Sequence, residues 1–178
     1  SLIGLGYIAH EHYKPAEKIF QWSIITILII GLILKFKGFT QTEPIRGILD
    51  GDLVFEENSI IVENNTYLID EINKIKISND DYSGKLIHTS KGNIGPALSN
   101  GTNNFIILFL NSKETKKYLF ELINSADIHK VRSQLINYHI KNKFDFWDLA
   151  NVLGEKSSNE IKELKKEIDR KALTANSL

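Results

Sequence analysis

Two histidines and a glutamate stand together near the start of the sequence, as His10, Glu11 and His12. Imidazole and carboxylate groups are common zinc ligands, so this cluster has the right chemistry for a metal site. Residues two apart on a helix, however, point to different faces, and no third ligand is close in sequence. The spacing therefore favours a polar cluster at an interface, and we expect no metal here.

The other residues with catalytic chemistry are scattered along the chain. Nucleophile and base can be distant in sequence, but no Gly-x-Ser-x-Gly, His-Glu-x-x-His or Walker pattern occurs. The glycine-rich stretch 90–104 is followed by a strand-like run, whereas a phosphate-binding loop needs a helix there. We therefore expect a mobile surface loop, no cofactor and no enzymatic activity. The scattered candidates are Asp80, Asp81, Ser83, His88, Ser90, His129 and His139.

The overall composition excludes several classes of protein. The 178 residues carry 22 basic and 22 acidic side chains, so the concentrated positive charge that nucleic-acid binding requires is missing. The chain has no cysteine, which rules out disulfides, thiolate metal sites and thiol nucleophiles. One domain of ordinary size with an anchor is the content expected for this length.

The longest apolar run extends from Ile19 to Leu34 and contains no charged residue. As a helix this run is about 24 Å long, and Tyr13 to Phe39 would cross a hydrocarbon core of about 30 Å. A buried core helix needs a larger domain to cover it, and no cleavage pattern of a signal peptide follows. We therefore predict a membrane-spanning helix within residues 1–39, with contacts to lipid and headgroups at Ile19, Trp22, Ile27, Leu34, Lys35 and Lys37.

The orientation of this helix is predicted from the lysines and arginines at its two ends. Lys35, Lys37 and Arg46 follow the run, and Lys14 and Lys18 precede it. Because cytoplasmic flanks carry the excess of positive residues, this distribution favours a single-pass protein whose C-terminal domain is cytoplasmic.

Downstream of the anchor, the apolar residues change to the period-two pattern of strands. Strands are predicted from residue 49 to 55, from 59 to 63, around Ile72 to Ile77, from 82 to 87, from 105 to 110 and from 117 to 123. A helix should follow, because Ile128, Val131, Leu135 and Tyr138 fall on one helical face. Residues 144–178 should form a helical extension, with Gly154 ending one helix and Ser157 and Glu160 opening the next.

This plan of short antiparallel strands ending in one amphipathic helix resembles bacterial pleckstrin-homology-like (PH-like) domains over residues 47–143. The resemblance is carried by GDLVFEENSIIVENNTYLIDEINKIKIS and by NFIILFLNSKETKKYLFELINSADIHKVRSQLINY. It implies a mainly β fold with helices, in which a sandwich or barrel is closed by a C-terminal helix after the membrane helix. Phosphoinositide-binding members carry basic residues around the first hairpin. This hairpin instead carries five carboxylates, so we expect no selective phosphoinositide binding.

The function predicted from the sequence is non-catalytic docking of another membrane or membrane-associated protein, as an accessory subunit of a membrane complex. Aromatic side chains are enriched at binding hot spots, which makes Phe144, Phe146 and Trp147 the candidate contact residues. Packing of these rings against the strands is the alternative. A signalling or stress-response membrane sensor is the alternative function, and an enzyme is less favoured.

Overall fold

The computed structural model describes residues 2–45, 49–87 and 95–175, with the backbone alone for residues 2–17 and 175. The predicted boundary at Gly47 and the candidates Arg46, His88 and Ser90 therefore lie outside the described residues. The chain forms two compact units, Ser1–Thr42 with Leu86–Leu98, and Glu43–Lys85 with Ser99–Leu178. Each unit is described by itself below.

The first unit contains one long helix, α1, Leu2–Phe39. Proline is favoured in the first turn of a helix, but α1 begins at Leu2 and continues through Pro15. Proline has no N–H, so one intrahelical hydrogen bond is missing at this position, and the turns on both sides keep the helix continuous. The local signal of proline was therefore a poor guide to the start of the helix.

The C-terminal end of α1 is bonded to a short segment that returns from later in the chain. The Ala97 N–H donates to the Gly38 carbonyl at 2.9 Å, and the Leu98 N–H donates to the Gln41 carbonyl at 3.1 Å. Leu98 also forms a parallel bridge with Thr42. Ala97 and Leu98 belong to the stretch 90–104 that was predicted to be a mobile loop. Their N–H groups instead donate to carbonyl groups at the end of the helix, where such groups otherwise lack partners.

The second unit begins with an antiparallel sheet of three strands, β1 (Leu53–Phe55), β2 (Ser59–Val62) and β3 (Asn65–Leu68). The strand order is β1-β2-β3, and Leu53 pairs with Val62 while Val62 pairs with Asn65. Strand β1 is shorter than the predicted strand of residues 49–55. β3 was not predicted as a separate strand, because its polar residues Asn65 and Thr66 hide the period of two.

The remaining strands are β4 (Ile72–Ser78), β5 (Ser83–Leu86), β6 (Leu98–Asn100), β7 (Asn104–Leu110) and β8 (Thr115–Phe120). β4, β7 and β8 form an antiparallel sheet in the order β4-β7-β8, and β5 pairs with β6. The short strand β6 lies inside the predicted loop. Its three residues carry too little apolar pattern to be recognised in the sequence.

Three helices follow a 3₁₀ helix at Asp127–Val131: α2 (Arg132–Ile140), α3 (Phe146–Val152) and α4 (Ser158–Ala175). The predicted capping box is present, since the Ser157 N–H donates to Glu160 at 2.7 Å and the Glu160 N–H donates to the Ser157 hydroxyl at 3.2 Å. These hydrogen bonds to Ser157 lower the pKa of Glu160. Gly154 ends the preceding helical segment with a φ of 71°, as predicted.

One apolar core joins both three-stranded sheets to the C-terminal helices. The residues predicted to lie on one helical face take part in it: Leu135 and Tyr138 of α2 are fully buried, and Ile128, which lies in the 3₁₀ helix before α2, is 4% exposed. The core also crosses the predicted boundary at residue 144, because Leu149 and Leu164 are fully buried. Buried members from each layer are Ile60, Ile75, Ile106, Leu108, Leu135, Ile136, Leu149 and Leu164.

The protein is therefore a mixed α/β fold with an N-terminal apolar helix, three small antiparallel sheets and C-terminal helices. The expectation of a mainly β fold is corrected, because more of the described residues lie in helices than in strands. No closed barrel is formed by the strands that the structure describes, since β1 and β8 each have a neighbour on one side only.

Candidate functional site

Two of the candidate catalytic histidines lie in the described part of the chain. His129 is exposed, while His139 is partly buried and its Nδ1 lies 2.7 Å from the Phe144 carbonyl oxygen. No group of three or more side chains suited to hold a metal ion occurs among the described residues. The side chains of His10, Glu11 and His12 lie outside that description.

Asp81 has a structural role at the turn that precedes β7. The Ser99 hydroxyl and the Asn103 N–H donate to the Asp81 carboxylate at 2.6 and 3.0 Å. The fully buried Asn104 amide accepts from the Asp81 N–H at 2.9 Å and donates to the Asp81 carbonyl at 2.9 Å. Because these buried polar groups satisfy one another, the serine and the aspartate here fix a turn and are not placed to attack a substrate.

Gly101 sits within the same turn and has a φ of 80°. A Cβ atom at this position would lie 2.3 Å from the Leu122 carbonyl oxygen. The Leu122 N–H in turn donates to the Gly101 carbonyl at 3.0 Å. Glycine therefore lets the turn pack directly against the residues that follow β8.

A groove of about 590 Å³ lies in the second unit between β1, β8 and the 3₁₀ helix. We call it the β1/β8 groove. Leu53 and Phe55 of β1 line it together with Phe120 of β8 and Ile128 and Val131 of the 3₁₀ helix. Both strands are at the edge of their sheets, so the groove lies where the two sheets leave their edges open. The other apolar lining residues are Ile45, Leu49, Val62, Leu119, Leu122 and Ile123.

The rim of the β1/β8 groove is acidic. Its lining contains five carboxylates and one lysine, Lys117, and the ammonium of that lysine lies 4.5 Å from the centre of the Phe105 ring. Asp127 is already paired with Lys130 at 2.7 Å and also accepts a hydrogen bond from the Asn124 N–H. These two hydrogen bonds lower the pKa of Asp127. The five acids are Asp50, Asp52, Glu63, Glu121 and Asp127.

Two tyrosine hydroxyls connect the sheets beside this groove. Tyr67 of β3 and Tyr118 of β8 share a hydrogen bond, and their ring centres are 6.2 Å apart. Burial and the hydrogen bond with Tyr67 raise the pKa of Tyr118 to about 12. The hydrogen bond between the two hydroxyls holds β8 against the first sheet.

A third tyrosine fixes helix α2 to the first hairpin. The Tyr138 hydroxyl donates to the Glu56 carbonyl and lies 3.0 Å from the Ser59 carbonyl. Burial, followed by the charge of Glu56, raises the pKa of Tyr138.

The three aromatic residues predicted to bind a partner have different environments. Phe144 is 2% exposed and belongs to the core, so it cannot present a contact surface. Phe146 is partly buried and packs edge-on against Trp147, with the Lys165 ammonium 5.3 Å from its ring centre. Trp147 is 62% exposed. Of the three, Trp147 alone offers most of its ring to solvent.

The residues predicted to contact the membrane lie on a helix surface that no part of the described chain covers. Ile19, Trp22 and Ile27 are each 67–68% exposed, and Leu34 is 43% exposed. The segment Lys18–Phe39, of 22 residues, is long and apolar enough to cross a membrane, and every residue of the charge-free run Ile19–Leu34 within it is exposed. A signal sequence has the same length and composition. At the end of the segment Lys35 is partly buried and Lys37 is exposed.

The acidic residues of the first hairpin could be recognised in the sequence, but the groove that they border could not. A signal was available in KYLFELI, because Leu119 is an apolar residue on the opposite face of β8 from Tyr118 and Phe120, and Ile123 follows the end of the strand. Leu119 and Ile123 are 64% and 74% exposed. Large apolar residues outside the core-facing alternation indicate a second apolar surface.

Comparisons of this chain with protein-family models, with curated proteins and with solved structures gave no match. The resemblance to PH-like domains therefore stays a prediction that depends on the strand pattern alone.

Proposed function

We propose that this protein is a non-catalytic docking protein of a membrane complex. In this proposal α1 anchors the chain in the bilayer, and the second unit binds another membrane or membrane-associated protein. The observation that carries the proposal is the charge-free run Ile19–Leu34 within the segment Lys18–Phe39, because every residue of that run is exposed. About 25 cal/mol for each Å² of apolar surface is gained by moving it out of water, so this surface needs a lipid environment.

The proposed fold of the second unit is PH-like. Support comes from two antiparallel sheets of three strands, followed by α2, whose apolar face packs into their shared core. The differences from the expected plan are the open edges of β1 and β8 and the addition of α3 and α4 to the core. A fold of this kind carries many functions, so the docking role depends on the surface and not on the fold.

The proposed topology is a single pass with the second unit in the cytoplasm. Lys35 and Lys37 directly follow the apolar segment, where positive residues favour the cytoplasmic side. The proposed partner is a protein and not an inositol lipid. Asp50, Asp52 and Glu63 lie together around Gly51 and would repel a phosphorylated headgroup.

Purification of the full chain from membranes tests this function. The tagged protein is extracted with a non-ionic maltoside, and its complexes are separated by size and quantified by mass spectrometry. We expect the chain in the membrane fraction, together with another protein in near-equal amount. A chain that is soluble without detergent would contradict the anchor, and a monodisperse chain without a partner would contradict docking.

A further inference from the structure

Strand β8, with six residues, lies at the edge of the sheet β4-β7-β8. Its neighbour β7 pairs with it from Phe109–Thr115 to Asn104–Phe120, and no strand pairs with its other side. A free edge presents backbone N–H and C=O groups to any extended chain that approaches it. Edge strands of natural proteins are normally shortened, twisted or covered, and β8 is instead bordered by an apolar groove.

The groove beside this edge has a lining that suits one extended chain. At about 590 Å³ it falls within the usual size of ligand pockets. Leu53 and Phe55 form one wall, and Leu119 and Ile123 remain 64% and 74% exposed. A strand alternates its side chains between two faces, so every second residue of an added strand would meet these apolar side chains.

The charge of the rim selects among possible occupants. Asp50, Asp52, Glu63 and Glu121 are exposed carboxylates, and Lys117 is the single basic residue among those lining the groove. Charge complementarity therefore favours lysine or arginine at the positions between the apolar residues of the occupant. An acidic peptide and an anionic lipid surface would both be repelled.

We propose that the β1/β8 groove binds an extended segment of a partner protein, apolar at alternate positions and basic between them, as an added strand on the edge of β8. This proposal rests on the proposed docking function and identifies its surface and the chemistry of its partner. Backbone hydrogen bonds to β8 supply the register, the apolar wall supplies the alternation, and the acidic rim supplies the preference for basic residues.

A fluorescent ten-residue peptide of alternating lysine and valine is the first probe. Fluorescence anisotropy with the full chain in maltoside micelles measures its affinity at physiological salt. We expect saturable binding that is at least tenfold tighter than that of the peptide with glutamate in place of lysine. Equal affinity for both peptides, or no binding at millimolar protein, would overturn the proposal.

Charge reversal locates the binding. The double variant Asp52→Lys/Glu63→Lys should weaken binding of the lysine peptide at least tenfold. The control Asp70→Lys/Glu71→Lys has the same net charge change on exposed residues outside the groove, and it should bind within twofold of the natural chain. Equal losses in both variants would show non-specific attraction and overturn the assignment of the groove.

N-methylated peptides test the added strand itself. One peptide is methylated on its odd-numbered amides and another on its even-numbered amides, because only one set of N–H groups can face β8. One methylated peptide should lose at least tenfold in affinity while the other keeps most of it. Retention of affinity by both would overturn strand addition, and a dimer of the chain by ultracentrifugation would assign the edge to self-association instead.

The two proposals fail in different ways. If the Asp52→Lys/Glu63→Lys variant still purifies with a partner in near-equal amount, the groove is not the docking surface, although the docking function stands. If the natural chain purifies alone and the lysine peptide does not bind, both proposals are contradicted.

Discussion

Helix α1 and helix α2 show opposite relations between composition and burial. Ile27 and Leu28 of α1 are 68% and 62% exposed, although the segment around them is apolar on every side. α2, Arg132–Ile140, is rich in polar residues, yet its Leu135, Ile136 and Tyr138 have no exposed surface. A helix in a globular core is therefore recognised by an apolar stripe that another layer can cover, and not by a high content of apolar residues.

The physical reason lies in what each helix can contact. The few apolar residues of α2 are on one face, and the sheets and α3 and α4 supply a matching surface. α1 presents apolar side chains in all directions, and the described part of its own unit is too small to cover them. This contrast predicts that changes in the two helices will affect different properties of the protein.

The largest effect is expected in the core. Leu135→Ala should reduce the free energy of unfolding by about 2–5 kcal/mol, because it removes a fully buried side chain and leaves a cavity. The matched variant Leu28→Ala in α1 should change it by less than about 0.5 kcal/mol. Urea unfolding in detergent, followed by near-ultraviolet circular dichroism, measures both. Equal destabilisation by the two variants would contradict the contrast between the helices.

A charge in the middle of α1 should affect insertion and leave the second unit folded. Ile27→Arg should cost about 2.5–3.5 kcal/mol of insertion free energy, since it lies near the centre of the apolar run. Leu34→Arg, next to Lys35, should cost less because the long side chain can reach the headgroups. A translocation assay with glycosylation sites on both sides of the helix reports the inserted fraction. Full insertion of both variants would argue against a span centred on Ile27.

The next effect concerns the charges that hold α2 to the C-terminal helices. Burial opposes the charge of Arg132, but the hydrogen bonds that its guanidinium donates to Glu155 and Glu167, at 2.6 and 3.0 Å, raise its pKa. Arg132→Ala should therefore lower stability by about 1–2 kcal/mol, since it leaves two partly buried carboxylates unpaired. The control is Lys166→Ala, which removes an exposed pair with Glu163 and should cost less than about 0.5 kcal/mol. Thermal unfolding of Arg132→Ala and of this control measures both losses of stability. A larger loss in the control would mean that exposed charges stabilise this fold more than buried ones.

The smallest effect is expected at alkaline pH. The folded state raises the pKa of Tyr118 from 10.0 to about 12, so it favours the neutral phenol. This contribution to stability is complete below pH 10 and is lost as the pH rises towards 12. Tyr67→Phe removes the partner hydroxyl and should move the titration of Tyr118 back towards 10, as followed by tyrosinate absorbance. In the Tyr118→Phe variant the absorbance change near pH 12 should be absent. If that change persisted in this variant, it would belong to another tyrosine.

Local sequence patterns were sufficient for much of the fold. The apolar run predicted the exposed segment of α1, and the spacing of Leu135 and Tyr138 predicted the buried face of α2. The capping box at Ser157 and Glu160 and the stop at Gly154 were also predicted correctly. Each of these features depends on residues within a few positions of one another, so the physical cause is visible in a short window.

The part of the candidate site that the sequence supplied was its charge. Asp50, Asp52 and Glu63 were recognised as an acidic hairpin, but the edge of β8 next to them was not. Phe144 was predicted to face a partner and is in the core, because the residues that cover it lie elsewhere in the chain. Neither result could be obtained from one segment alone.

The sequence by itself therefore determined the apolar character of α1, the alternation of the strands and the caps of α4. Only the tertiary structure decided that α1 continues through Pro15, that Ala97 bonds to its end, and that β1 and β8 both remain open edges. Local patterns depend on propensity and periodicity, which act between neighbours in the chain. Groove, edge and core burial depend on which distant segments meet, and that is settled by packing of the whole fold.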